Sequence, residues 1–248
     1  MKTGVVIPAY KEHESIAQLV TEVRAQVPEA QIVVVDDSPD LKTVEALASH
    51  RDALVHVIHR TSKGGRGSAV VEGLQYLVSQ GVDYALEMDA DFSHPPAQIP
   101  ALFAKANEQK LDLLIASRYM AGSAIRNWPF SRRAFSFTAN HVARFVLRVP
   151  VSDYTNGFRV YSARAANLIA RECGKLGTGF IALSEILVSI YYRGWKVGEE
   201  PTIFVNRIRG ESSLNSAEIR NALKGLVRIY GLKNELKRNA HGKLADRH

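Results

Sequence analysis

Five short β-branched runs, Val5 to Pro8, Ile32 to Val35, Leu54 to Ile58, Tyr84 to Met88 and Leu113 to Ala116, are separated by stretches whose apolar residues recur at helical spacing. Strands that alternate with helices pair in parallel, because each crossover helix carries the chain back to the start of the next strand. The run Gln31-Ile32-Val33-Val34-Val35 is apolar at consecutive positions rather than alternate ones, so both faces of that strand are covered. The pattern predicts a three-layer α/β/α sandwich around a mostly parallel sheet. With 248 residues, 46% of them hydrophobic, the chain is long enough to bury such a core.

In an open α/β sheet, ligands bind beyond the carboxyl ends of the strands. Acidic residues fall there three times: Glu12 after Pro8-Ala9-Tyr10-Lys11, the pair Asp36-Asp37 and the motif Asp89-Ala90-Asp91. Clustered carboxylates repel one another and repel phosphate. A divalent cation reverses both effects, so the pattern points to Mg²⁺ or Mn²⁺ bridging Asp89 and Asp91 to a phosphate group. Taken singly, Asp36-Asp37 reads as a helix cap before Leu41 and Asp91 as the start of a turn leading to Pro95-Pro96. A glycine loop, Lys63-Gly64-Gly65-Arg66-Gly67-Ser68, follows the third strand and offers backbone N–H groups and two cations to phosphate, without the spacing of a Rossmann or Walker loop.

Beyond Tyr119 the pattern changes. A Trp128-Pro129 turn and an amphipathic helix over Phe135 to Leu147 lead to Thr155-Asn156-Gly157-Phe158-Arg159. A helix over Leu183 to Tyr192, a strand over Gly198 to Val205 and a final helix over Ala217 to Leu236 follow. No linker marks an independent second domain, so residues 1–215 form the catalytic domain and 216–248 a basic amphipathic helix and tail. From Arg207 onward there are ten Lys/Arg against four Asp/Glu, a large part of the net charge of +7. The final helix therefore either docks on an anionic membrane or packs its apolar residues Ile219, Ala222, Leu223, Leu226, Ile229, Tyr230 and Leu236 on its own domain. Nucleic acid is disfavoured by the lack of a helix-turn-helix or aromatic-basic strand pattern. The lone Cys173 reads as a buried inert thiol. The lack of a leader or a spanning segment suggests a cytoplasmic protein, peripheral on the cytoplasmic face of a membrane.

Taken together, these motifs resemble family 2 glycosyltransferases of the GT-A fold, and within them the dolichol- or polyprenol-phosphate mannose synthases. Pro8-Ala9-Tyr10-Lys11-Glu12 is similar to Pro-x-Tyr-Asn-Glu, and Asp36-Asp37 to the nucleotide-binding acidic pair. Asp89 to Pro96 is close to the most specific motif. Ala116-Ser117-Arg118-Tyr119, Trp128-Pro129 with Arg132, and Thr155 to Arg159 match the acceptor half.

The resemblance implies inverting transfer of a sugar, mannose from GDP-mannose first, onto a polyprenyl or dolichyl phosphate, at a membrane surface or beside a small membrane-protein partner. It implies donor contacts from Pro8, Tyr10, Glu12, Asp36, Asp37, Lys63, Asp89 and Ala90, and acceptor-phosphate contacts from Arg118, Arg132, Ser136 and Arg159. Asp91, Arg118, Arg132 and Arg207 take the catalytic roles, Arg207 by adding charge at the leaving group. One of the three acceptor-half arginines is expected to pair only with acids such as Asp153 or Glu185.

Three departures stand out. Ser93 replaces a common metal-side Gln beside Asp89 and Asp91, which puts coordination from position 93 in question. Gly210-Glu211-Ser212-Ser213 replaces Gly-x-Ser-Lys, with Arg207 or Arg209 as compensation. Arg66 replaces an apolar residue. These leave open a UDP-sugar donor, a non-lipid acceptor of the same fold, or a nucleotide-sugar-binding scaffold without activity; a nucleotidyltransferase would instead need a glycine-arginine loop after the first strand.

Overall fold

The computed structural model describes residues 1–61, 64–174, 176, 180–206 and 216–245; of the helical residues 180, 216–223 and 240–245 only the backbone is described. Its centre is a seven-stranded sheet built from β1 (Thr3–Ala9), β2 (Gln31–Asp36), β3 (Val55–His59), β4 (Tyr84–Glu87), β5 (Leu113–Ser117), β7 (Arg159–Ser162) and β8 (Val197–Pro201). The strand order is β3-β2-β1-β4-β7-β5-β8, and all pairs are parallel except those that β7 makes with β4 and β5. The strands alternate their side chains between two apolar layers. Val6, Val33, Val35, Ala85, Leu113 and Ile115 face one layer with α3 (Arg66–Ser79), α6 (Ala163–Glu172) and α7 (Phe180–Tyr191). Val5, Ile7, Ile32, Val34, Leu86 and Leu114 face the other, with α1 (Ile16–Gln26) and α4 (Ile99–Glu108).

The parallel order follows from the βα repeats. The expected strand over Gly198 to Val205 is instead two strands in two sheets. β8 ends at Pro201, which cannot donate to a ladder, and β9 (Ile203–Val205) then pairs in parallel with β6 (Ala124–Arg126). The amphipathic helix of the acceptor half begins earlier than its pattern suggests, at Phe130 directly after Pro129, and α5 runs Phe130–Leu147. The antiparallel insertion of β7 escapes the sequence pattern altogether.

α8 (Ser216–Ala245) packs against α5 and α7. Ile229 is fully buried, and Leu226 and Leu236 pack half-buried on the same core, while Tyr230 is exposed. The alternative in which the final helix covers its own domain therefore holds at these three positions; the side chains of Ile219, Ala222 and Leu223 lie outside the described residues. Lys233 is buried too and donates to the Val146 carbonyl at 2.7 Å, tying α8 to α5. Among the described residues no helix is long and apolar enough to cross a membrane.

Candidate active site

β1 lies between β2 and β4, so the sheet order reverses direction at β1 and the carboxyl ends of these three strands stand side by side. A cleft of about 390 Å³ opens there, walled by Pro8 and Ala9 at the end of β1, Tyr10 and Glu12 just beyond it, Asp37 after β2 and Asp89, Ala90, Asp91 and Ser93 after β4. The N-terminal end of α3 adds Gly65, Arg66 and Ala69, and the far wall is Arg132, Phe204 and Asn206. The motif residues scattered over the sequence thus converge on one site.

At the end of β2 the two acids divide their work. Asp37 lines the cleft, accepts the Gly65 N–H at 2.9 Å and pairs with Arg60, which fastens the glycine loop to the sheet. Asp36 is fully buried: Oδ1 accepts the Ser38 N–H at 3.1 Å and the Ser38 hydroxyl at 2.6 Å, and Oδ2 lies 2.9 Å from His59 Nδ1. It corrects the expectation of a donor contact from Asp36, since both oxygens are engaged inside the fold. Lys11 sits at φ +60°, a conformation in which Asn is tolerated better than Lys, and its N–H donates to the Ser38 hydroxyl at 2.7 Å.

The Asp89 to His94 loop is held from beneath. His94 is buried, stacked on Phe158 with ring centroids 4.8 Å apart; Nδ1 accepts the Asp89 N–H at 3.1 Å and Nε2 donates to Asn156 Oδ1 at 3.0 Å. That tautomer is neutral, in keeping with burial, which lowers the imidazole's proton affinity. His94 shapes the loop. Asp91 lies half-buried in the cleft wall and takes the Ser93 N–H on Oδ1 at 3.1 Å, in an Asx turn that passes through Phe92 at φ +60°. Burial alone would raise the Asp89 carboxyl, but Arg66 outweighs it and holds the group down at about 2.

No cluster of three or more His, Cys, Asp or Glu side chains able to hold a metal ion occurs among the described residues. Asp89 and Asp91 supply hard carboxylate oxygens, which suit Mg²⁺ or Mn²⁺ when phosphate oxygens and water complete the shell. The residues present fit such a shared site. Ser93 borders it, buried, with its hydroxyl beside the cleft.

The acceptor-half arginines end in three different environments. Arg132 reaches the cleft, donates to Asn206 Oδ1 at 3.1 Å and lies 4.6 Å over the Trp128 ring. Arg118 is buried behind it, with Nε on Asp153 Oδ2 at 2.8 Å, Nη2 on Asp153 Oδ1 at 2.9 Å and Nη2 also on the Thr155 hydroxyl at 2.7 Å. Its fork is committed to Asp153, a pairing expected of one arginine of the three and at odds with the phosphate-binding and catalytic roles expected of Arg118 itself. Arg159 is 0% exposed and donates to the carbonyls of Asn156, Leu183 and Tyr154 at 2.7, 2.7 and 2.8 Å. This corrects its assignment to acceptor phosphate: it opens β7 and is a core tie. Ser136 is half-buried and accepts the Tyr119 hydroxyl at 2.7 Å. Lys63 and Arg207 lie outside the described residues. Cys173 is buried, and burial pushes its thiol up to about 12.

Sequence reading missed Phe204 and Asn206, which a strand-end signal at Val205 could have indicated, and left Arg66 as a departure rather than a site residue.

The model of glycosyl transferase family 2 matches residues 4–169. Polyprenol monophosphomannose synthase from Mycolicibacterium smegmatis is 35% identical over 240 residues, covering 96% of this chain and 89% of that protein. Undecaprenyl-phosphate mannosyltransferase from Micrococcus luteus is 36% identical over 241 residues, covering 94% and 95%. Dolichol-phosphate mannosyltransferase from Pyrococcus furiosus is 35% identical over 243 residues, covering 96% and 66%. Among solved structures, glucosyl-3-phosphoglycerate synthase from Mycobacterium tuberculosis, in complex with Mn²⁺, uridine diphosphate and glucosyl-3-phosphoglycerate, superimposes with a TM-score of 0.64 at 18% identity, covering 93% of this chain and 80% of that one. The same enzyme with Mg²⁺ and uridine diphosphate gives 0.63 at 17% identity, covering 93% and 79%.

Proposed function

Because the chain belongs to glycosyl transferase family 2 and is a glycosyltransferase of the GT-A fold, we propose that it transfers mannose from GDP-mannose to the phosphate of a polyprenol. The observation that carries this reading is a single cleft with Asp37, Asp89 and Asp91 on one wall and Arg132 on the opposite one. Nucleoside diphosphate and lipid phosphate, two anions, must meet there. The relatives' names supply the sugar and the lipid class.

The bond from the anomeric carbon to the diphosphate oxygen breaks as an oxygen of the acceptor phosphate bonds to the same carbon from the opposite face, inverting it. The second pKa of a phosphate monoester is about 6, so the nucleophile is already anionic at neutral pH and no strong general base is required. Asp91, with Asp89 beside it, would hold a divalent cation, which when bound would supply Lewis-acid stabilisation to the departing diphosphate. Asp37 and the residues after β1 hold the nucleoside end. Arg132 binds the acceptor phosphate, its guanidinium oriented by Trp128 and Asn206 and braced from behind by the Arg118–Asp153 pair.

Access to a lipid follows from α5. This helix contains no Asp or Glu; Phe130, Phe137 and Phe145 are 85%, 51% and 80% exposed, with Val142 beside them and Arg133, Arg144 and Arg148 also exposed. α8, which packs on α5, also exposes Val227 and Tyr230. An apolar stripe flanked only by cations suits an anionic lipid surface, and Arg132 stands on the same helix, one turn from its start. Replacing Phe130 and Phe145 together by Ser should weaken cosedimentation with anionic liposomes by about tenfold, at the cost of roughly 1.4 kcal/mol. Unchanged partitioning would assign access to a membrane-protein partner.

The transfer itself is tested by incubating the protein and Mn²⁺ with radiolabelled GDP-mannose or UDP-glucose and a short polyprenyl phosphate. Label from GDP-mannose should enter the organic phase. Label that enters only from UDP-glucose would replace the donor, and label released only into water would contradict lipid transfer.

A further inference from the structure

Glu87, Asp89 and Asp91 place three carboxylates within five residues at the end of β4, and Arg66 reaches the first two from the first turn of α3. Its Nη1 lies 2.6 Å from Glu87 Oε1, its Nε donates to Asp89 Oδ1 at 2.8 Å and its Nη2 lies 2.7 Å from the same oxygen. Glu87 is fully buried, and its other oxygen accepts the Tyr161 hydroxyl at 2.7 Å. The guanidinium passes over Gly157. A Cβ on that residue would come within 2.0 Å of Nη2, so the absence of a side chain at Gly157 makes room for the arginine. Arg118, behind the opposite wall, is already paired with Asp153.

Charge sets the consequence. With Arg66 in place the three carboxylates carry a net charge of two, which a divalent cation balances. Without it they carry three, and Asp89 turns from a shared ligand of an arginine into one available to the metal. We propose that Arg66 is a positioning residue of the donor site, a resident cation that competes with the divalent metal for Asp89 and so limits how tightly the cleft binds metal before the nucleotide arrives. Asp91 is then the metal's principal carboxylate. The diphosphate brings the ligands that complete the shell, which couples metal binding to the arrival of the donor.

The inference rests on the proposed metal-assisted reading of the cleft, and the two fail differently. The test is Mn²⁺ titration of the full chain without nucleotide, followed by electron paramagnetic resonance, for the wild type and for Arg66→Leu, Arg66→Lys and Gly157→Ala, each first confirmed as folded by circular dichroism. Arg66→Leu should bind Mn²⁺ about tenfold more tightly, and Arg66→Lys, which keeps the charge, should stay within about threefold of wild type. Gly157→Ala retains the arginine but forces it off Asp89, and should move affinity in the same direction as Arg66→Leu. Wild-type or weaker Mn²⁺ affinity in folded Arg66→Leu and Gly157→Ala would overturn the role of Arg66 and leave the transferase reading standing. Absence of Mn²⁺ binding in every form would remove the carboxylate metal site and this inference with it.

Discussion

The acidic wall of the cleft, proposed for the donor, and the arginine wall, proposed for the acceptor, handle charge in opposite ways. On the acidic wall the carboxylates cluster at the ends of β2 and β4: Asp36 and Glu87, the last residues of these strands, are enclosed and hydrogen-bonded, while Asp37, Asp89 and Asp91 reach the cleft. On the opposite wall the arginines come from separate elements, and among the described residues only Arg132 reaches the cleft; Arg118 is locked to Asp153 and Arg159 ties β7 to the segments beside it. A parallel strand end presents its next residues to the ligand by construction. A helix or an antiparallel insertion does so for one residue in several, and the others become internal struts.

Three experiments test that division, beginning with the largest effect. Asp91→Asn removes one charge from the donor wall with little change in volume, and turnover should fall by about 10²-fold or more while the melting temperature stays near wild type. Full activity of this variant in the presence of a chelator would break the assignment of metal chemistry to this wall. Arg159→Met should act in the opposite sense, leaving three buried carbonyls without their donor. A loss of about 3 kcal/mol, or roughly 6 to 12 °C in melting temperature, is expected. A selective rise in the KM for lipid phosphate with unchanged stability would return Arg159 to the acceptor site.

The smallest effect concerns acid. Burial alone would raise the Asp153 carboxyl, but the Arg118 fork and the backbone N–H groups of Arg118 and Thr155 outweigh it and hold it below the usual aspartate value. A folded value below the unfolded one contributes stability above about pH 3.9, and that contribution is lost as pH falls through the lower, folded value. The thermal stability of the wild type should therefore drop as pH falls below about 4, and Asp153→Asn, less stable at neutral pH, should show a shallower drop. Parallel pH profiles for the two proteins would dissociate Asp153 from the brace behind Arg132.

The same contrast explains what the sequence discloses. β1 to β5 and the acidic residues after them are legible because a buried parallel strand is a continuous apolar run and its ligand side lies at a fixed end. β7 is not, since Arg159-Val160-Tyr161-Ser162 is too short and too polar at its ends to stand out from a loop, and the resemblance alone placed Arg159 on the acceptor phosphate. Asp36 and Asp37 are adjacent in sequence and alike in chemistry; only the pleat, which turns one inward onto Ser38 and His59, tells them apart. Arg66 stood out as a departure from the family pattern, but its partners are 21 and 23 residues away across the sheet, beyond any local spacing rule. The apolar pattern of α8 did not reveal which surface it faces, while the exposed phenylalanines of α5 became meaningful only once the helix was seated on the fold.

The central claim, that one cleft joins a nucleotide on its acidic wall to a lipid phosphate on Arg132, is tested most directly by measuring Arg132→Ala twice: its apparent KM for polyprenyl phosphate in the transfer assay, and its affinity for GDP with Mn²⁺ by calorimetry. A rise in KM of about tenfold or more with nucleotide affinity near wild type is the predicted result. A comparable loss in nucleotide affinity, with the lipid KM unchanged, would contradict the division of the cleft and place Arg132 on the donor.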